Sequence, residues 1–189
     1  MRQTVPCFSA SCLFISLLLA ITLSCISPAQ SIGQDVLNDI CSKSKDSSFC
    51  LKSLNSDPQT ATTDLLGLAR ISIKLAKTTV DATDKFVKSQ VGLVTDPTLK
   101  KQYTQCVESY DDANDKIDYA NERLKAGDYG GVGVATSACL DDVSDCEDPP
   151  QVAVNVAAAS TISLSEQNKE SYELCQIALI ISNRLSGND

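Results

Sequence analysis

Apolar residues between Leu99 and Leu124 recur in alternating steps of four and three: Leu99, Tyr103, Cys106, Tyr110, Ala113, Ile117, Ala120 and Leu124. These steps draw one seam along a helix of nearly four heptads. Thr95 or Asp96 can cap its start, Pro97 suits its first turn, and Gly127 stops it. A long helix with a single apolar seam has to pack along its length, which predicts a helix bundle. The segment from NSDP (55–58) to about Val91 keeps helical spacing through Leu65, Leu68, Ala69, Ile73, Ala76, Val80, Val87 and Val91. A third helix is expected from about Gly131 to Cys146, with Val132, Ala135, Cys139, Val143 and Cys146 on one side and Pro149 and Pro150 ending it. GDYGGVG (127–133) reads as a helix–helix connection, and QVAVNVAAAS (151–160) fits either a helix or an extended link. The last helix is expected at about 164–185, with LCQIALIISNRL (174–185) buried, and two short helical pieces occupy 31–54. The expected fold class is all-α: an up-down-up-down four-helix bundle preceded by an N-terminal helical hairpin.

The start of the chain follows a different pattern. Arg2 is the only charge before Asp35, and CLFISLLLAITL (12–23) is an apolar run too short to span a bilayer. Ser27 and Ala29 fit the small positions before a cleavage site, so residues 1–29 read as a secretory signal peptide. The mature chain is then expected to be secreted and soluble, with a hairpin over 30–57 and a bundle over 58–189.

Cleavage would remove three of the nine cysteines and leave Cys41, Cys50, Cys106, Cys139, Cys146 and Cys175. In an oxidising compartment disulfides are the default. Cys41 and Cys50 would close the hairpin, whose few apolar residues would not hold it by burial alone; the loop entropy is worth roughly 2.5 kcal/mol. Cys106 lies on one apolar seam and Cys146 on the next, so a bond between them would clip two antiparallel helices, worth roughly 4 kcal/mol. Cys139 and Cys175 lie on apolar faces, either as small buried hydrophobes or as a third pair.

Charge and composition narrow the chemistry. The full chain has a net charge of −8 and loses the positive Arg2 on cleavage, so it offers no basic patch for nucleic acid or anionic membrane. Histidine is absent, which removes Ser-His and Cys-His nucleophile pairs and every His-containing metal site. Trp is absent, no Asn-x-Ser/Thr sequon occurs, and no glycine-rich phosphate loop is present.

CSKSKDSSFCLKSLNSDP, DLLGLARISIKLA, DPTLKKQYTQCVESYDDANDKI, LKAGDY, DCEDPP and LCQIALIISNRL together resemble the plant invertase and pectin methylesterase inhibitors, over essentially the whole mature chain. The cysteine spacings 41–50 and 106–146 are the most specific part. The resemblance implies a four-helix bundle behind a helical hairpin, with one disulfide in the hairpin and one joining the second and third bundle helices. It implies an inhibitor rather than an enzyme, with no cofactor and no metal, acting in the apoplast or cell wall as a monomer on an enzyme partner. LKAGDY, CEDPP and the terminal LCQIALIISNRL resemble the pectin methylesterase branch, in which a last-helix cysteine matching Cys175 is unpaired. The Pro-Lys-Phe motif of invertase inhibitors is missing, which leaves acid invertase as the alternative target. Two features depart from the family: a shortened connection after Cys146, and Cys139 in place of a small non-cysteine residue.

The remaining chemistry sits in ESYDDANDKID (108–118). Glu108, Asp112 and Asp115 are spaced four and three apart and share one helix face, away from the seam. Spacing alone fits a solvated acidic face. The resemblance implies more: positions matching Glu108, Asp112, Asp115 and Asp148 make polar contacts across the enzyme's pectin-binding cleft, so that a one-to-one complex denies the polymer access. DDAND (111–115) and DDVSD (141–145) also match DDxxD, the magnesium–diphosphate pattern of isoprenyl synthases. Those enzymes are about twice this size and lack a leader and paired cysteines. A secreted ligand carrier would need a cavity-forming excess of large apolar residues that this chain lacks.

Overall fold

The computed structural model describes residues 31–146 and 163–188. The expected leader and its cleavage site, the stretch QVAVNVAAAS and Asp148 lie outside the described residues. The described chain is helical throughout: α1 Gln34–Ser42, α2 Ser47–Asn55, a short 3-10 turn Pro58–Ala61, α3 Leu65–Leu93, α4 Pro97–Lys125, α5 Tyr129–Asp145 and α6 Leu164–Ser186.

Five of the six helices, α1 being the exception, start where a side chain satisfies one of their first free N–H groups. Asp46, Asp64, Asp96, Asp128 and Ser163 all accept from a backbone N–H in the first turn. Ser163 and Glu166 form a reciprocal capping box. Gly127 (φ 74°) follows α4 and Gly187 (φ 74°) follows α6, both in the left-handed region that glycine adopts without strain.

Two expected boundaries move. Helix α3 begins at Leu65 rather than near NSDP, because Pro58 sits in the separate 3-10 turn and Asp64 supplies the cap, its Oδ1 2.7 Å from Gly67 N. Helix α5 begins at Tyr129, inside the stretch read as a connection. There the Asp128 cap, 2.9 Å from Gly131 N, outweighs the weak helix propensity of the glycines. Gly131 is the residue that lets this cap close: a Cβ there would lie 2.4 Å from Asp128 Oδ2.

Helices α3 to α6 form the bundle. Each packs on its sequence neighbours, α6 packs back on α3, and diagonal helices bring no Cα atoms within 8 Å of each other among the described residues. The order is antiparallel, since rising numbers on one helix meet falling numbers on the next. Lys77 reaches Asp118 at 2.9 Å, while Lys88 reaches Asp111 at 2.7 Å. The core is filled by fully buried Leu68, Val80, Val87, Tyr110, Ile117, Val132, Val143, Ile177 and Ile181. Each large aliphatic among them contributes roughly 1.5–3 kcal/mol by leaving water. The α4 seam is buried as its spacing predicts, except that Leu99 is half-buried near the helix end.

Hydrogen bonds fix the helices' register inside this apolar core. Tyr110 Oη donates to Asn168 Oδ1 at 2.6 Å, and Asn168 Nδ2 donates to the Cys146 carbonyl at 3.0 Å, so α4, α6 and the end of α5 meet at one amide. Thr83 and Ser171 share a hydroxyl contact at 3.1 Å between α3 and α6.

The hairpin is cross-linked by Cys41–Cys50. Of its few apolar residues Leu37, Ile40 and Leu54 are buried, while Val36, Phe49 and Leu51 are partly buried against the core. It docks on the bundle through polar contacts as well. Lys45 N donates to Gln176 Oε1 at 3.0 Å, Lys45 Nζ to Tyr172 Oη at 2.8 Å, and Arg184 pairs with Asp39. Among the described residues no helix is long and apolar enough to cross a membrane.

Candidate functional site

The second disulfide, Cys106–Cys146, joins α4 to the end of α5 with the two Cα atoms 4.5 Å apart. At the opposite end the two helices are tied by the turn at 126–128. Bound at both ends, they hold an open groove of about 600 Å³ beside the disulfide. Gln102, Gln105, Cys106, Glu108, Ser109 and Asp112 line it from α4, and Asp142, Ser144 and Asp145 from α5. Four carboxylates therefore converge on one groove.

Glu108 and Asp112 lie together in this groove, both exposed. Asp115 is also exposed on α4 but does not line it. Asp148 lies outside the described residues. The groove adds two carboxylates that the α4 spacing could not announce, Asp142 and Asp145. They belong to another helix and meet α4 only through the packing of the pair.

Asp142 is the least comfortable of the four. Its Oδ2 is buried with no hydrogen-bond partner among the described residues. Burial pushes its carboxyl above the ordinary Asp value; Lys116 opposes the shift, while Asp112, Asp145 and Asp141 add to it. A beginning of positive charge lies alongside: Lys100 and Lys101, with Glu108 shared, line an adjoining depression at the start of α4. Such a surface can accept hydrogen bonds and attract cationic side chains or hydroxyl groups. It presents no nucleophile–base pair.

The two DDxxD stretches do not face one another as units. Asp111 turns to the α3 side, where Lys88 bridges it (2.7 Å) and Asp84 (2.8 Å). Asp141 lines a different groove, between α5 and α6. Among the described residues no three His, Cys, Asp or Glu side chains are grouped to hold a metal ion.

The chain and its bundle have counterparts among known proteins. The family model "Plant invertase/pectin methylesterase inhibitor" matches residues 35–181. A pectinesterase inhibitor from Actinidia deliciosa is 36% identical over 184 residues, covering 96% of this chain and 97% of that protein. A putative invertase inhibitor from Platanus orientalis is 33% identical over 160 residues, covering 82% and 92%. The crystal structure of a mutant form of a pectin methylesterase inhibitor from Arabidopsis superposes with a TM-score of 0.66 at 32% identity, over 78% of this chain and 95% of that one. This chain belongs to the plant invertase/pectin methylesterase inhibitor family.

Proposed function

We propose that this protein is a secreted inhibitor of plant pectin methylesterase, working in the cell wall as a monomer that forms a one-to-one complex with the enzyme. The observation that carries this reading is the end-to-end similarity to the Actinidia pectinesterase inhibitor. The acidic groove between α4 and α5, which Glu108 and Asp112 line, is the surface assigned to the contact; Asp115, exposed elsewhere on α4, and Asp148 complete the set of contact residues that the family resemblance implies. The inhibitor performs no chemistry in this mechanism. Its face covers the pectin-binding cleft and the polymer is kept out. Rigidity favours such a role, because a surface fixed before binding loses little conformational freedom on contact. The Cys106–Cys146 bond and the short α4–α5 turn supply that rigidity on both sides of the groove.

The similarity to putative invertase inhibitors supports a second reading, with an acid invertase as the target. Assaying the mature protein against a plant pectin methylesterase and an acid invertase side by side separates the two. Loss of pectin de-esterification with sucrose cleavage intact is the expected result. Full esterase activity at large molar excess, alongside loss of sucrose cleavage, would transfer the function to the second reading. Full activity of both enzymes would overturn both.

A further inference from the structure

Cys139 and Cys175 belong to neither disulfide and have no part in the proposed contact. Both are fully buried, Cys139 on α5 and Cys175 on α6. Their side chains are neighbours, and this contact, with burial, pushes the Cys139 thiol above its ordinary value. The register of the helices produces this meeting. Gly133 on α5 packs against Ser182 and Asn183 on α6, where a Cβ would lie 3.6 and 3.3 Å from their side-chain oxygens. About two turns from that contact, the antiparallel run brings Cys139 opposite Cys175. Two thiols in contact across a helix pair need only close to about 2 Å to bond.

We infer that Cys139 and Cys175 form a third, redox-controlled cross-link: a disulfide between α5 and α6 that is set while the chain folds and is sealed once the bundle closes. The closed loop would span residues 139–175 and enclose the whole link between these helices. With Cys106–Cys146, it would chain α4, α5 and α6 together covalently.

The oxidant is a small-molecule disulfide such as oxidised glutathione. In the folding chain one cysteine thiolate attacks a glutathione sulfur, forming a mixed disulfide and expelling one glutathione thiolate. The second cysteine, also as thiolate, then attacks the protein sulfur of that mixed disulfide and expels the second glutathione. The two protons lost by the cysteines go to the two released glutathione thiolates. The protein loses two electrons and the glutathione disulfide gains them.

In the closed bundle neither step has a route. Both residues are shut off from solvent, and the neighbouring Cys175, together with burial, holds Cys139 in its thiol form. Asp142, one turn along α5, disfavours the thiolate further. A pair that folds reduced therefore stays reduced, and a pair that folds oxidised stays oxidised.

The test refolds the full mature protein from the reduced, denatured state in two glutathione buffers, one rich in the disulfide and one in the thiol. Free thiols are then labelled with iodoacetamide in denaturant and the products mapped without reduction. The disulfide-rich refold should carry no label and yield a linked peptide containing Cys139 and Cys175. The thiol-rich refold should carry two labels, on those same residues, and should melt about 5 °C or more below its oxidised counterpart. Protein isolated directly from a secreting host, without refolding, should yield the linked peptide as well. Two labels in every preparation, glutathione left on either cysteine, or a bond from either to Cys106 or Cys146 would overturn the inference. So would ready oxidation of the folded two-disulfide protein by oxidised glutathione without denaturant, which would contradict the sealing. A Cys139→Ala variant supplies the control: it should fold with two disulfides and label once, at Cys175, in denaturant only.

Discussion

Single side chains show where the molecule gives up stability and where it recovers it. Asp142 stands in the first group. Its ordinary carboxyl value is 3.8 and folding raises it, chiefly through burial. The ionised folded group therefore costs stability at every pH above its folded value. The cost fades as pH falls through that value and is gone below the unfolded one. Asp142→Asn should raise the thermal midpoint by about 2 °C near neutral pH, and the gain should vanish by about pH 3. Melting curves across that range check it, and an unchanged or lowered midpoint at neutral pH would contradict it. Tyr110 stands in the second group. Its hydroxyl is held protonated by burial and donates a hydrogen bond to Asn168 Oδ1 at 2.6 Å. Tyr110→Phe leaves Asn168 Oδ1 without that donor and should cost about 1–2 kcal/mol, read from urea unfolding. No change in the midpoint would mean that the contact carries no net stability.

Helices and their cross-links decide how the groove is built. The two disulfides close loops of very different length, with sequence separations of 40 for Cys106–Cys146 and 9 for Cys41–Cys50. A longer loop constrains the unfolded chain more. Replacing both cysteines of the first pair by Ala should cost roughly 4 kcal/mol, and of the second roughly 2.5. Circular dichroism melts of the two double variants should preserve that order, and the reverse order would refute the loop argument. The same elements show what a sequence carries. The α4 seam was readable because one periodicity governs every buried position from Tyr103 to Leu124. The start of α3 was not, because Leu65 continues an apolar pattern while Asp64 and Pro58 set the actual boundary. Glu108 and Asp112 could be placed on one face from spacing within their helix. Asp142 and Asp145 could not be joined to them, since that depends on which flank of α5 turns toward α4. Cys139 and Cys175 lie between these cases: the sequence placed both on apolar faces and left open whether they pair, because that depends on the register of α5 against α6.

Residues 31–146 and 163–188 make a helical bundle of an acidic chain, proposed to lie across an enzyme's cleft. The resemblance to the inhibitor family implies a target with two catalytic aspartates there. Carboxylates of the groove brought near that cleft lose water and meet like charge, so their pKa values should rise on binding. A group whose pKa rises in the complex takes up a proton as it binds. Affinity should then be greatest at acidic pH and fall as pH climbs through the bound-state values. Surface plasmon resonance from about pH 5 to 8 would show this decline, and a flat or rising profile would contradict it. The central claim is that the face bearing Glu108 and Asp112 makes the contact. Both residues are exposed and outside the core, so reversing their charge leaves the bundle intact. The direct measurement is inhibition of a susceptible plant pectin methylesterase by the parent protein and by a Glu108→Lys, Asp112→Lys variant whose melting curve matches the parent's. The account predicts at least about a tenfold loss of potency in the variant, about 1.4 kcal/mol of binding free energy; equal potency would contradict it.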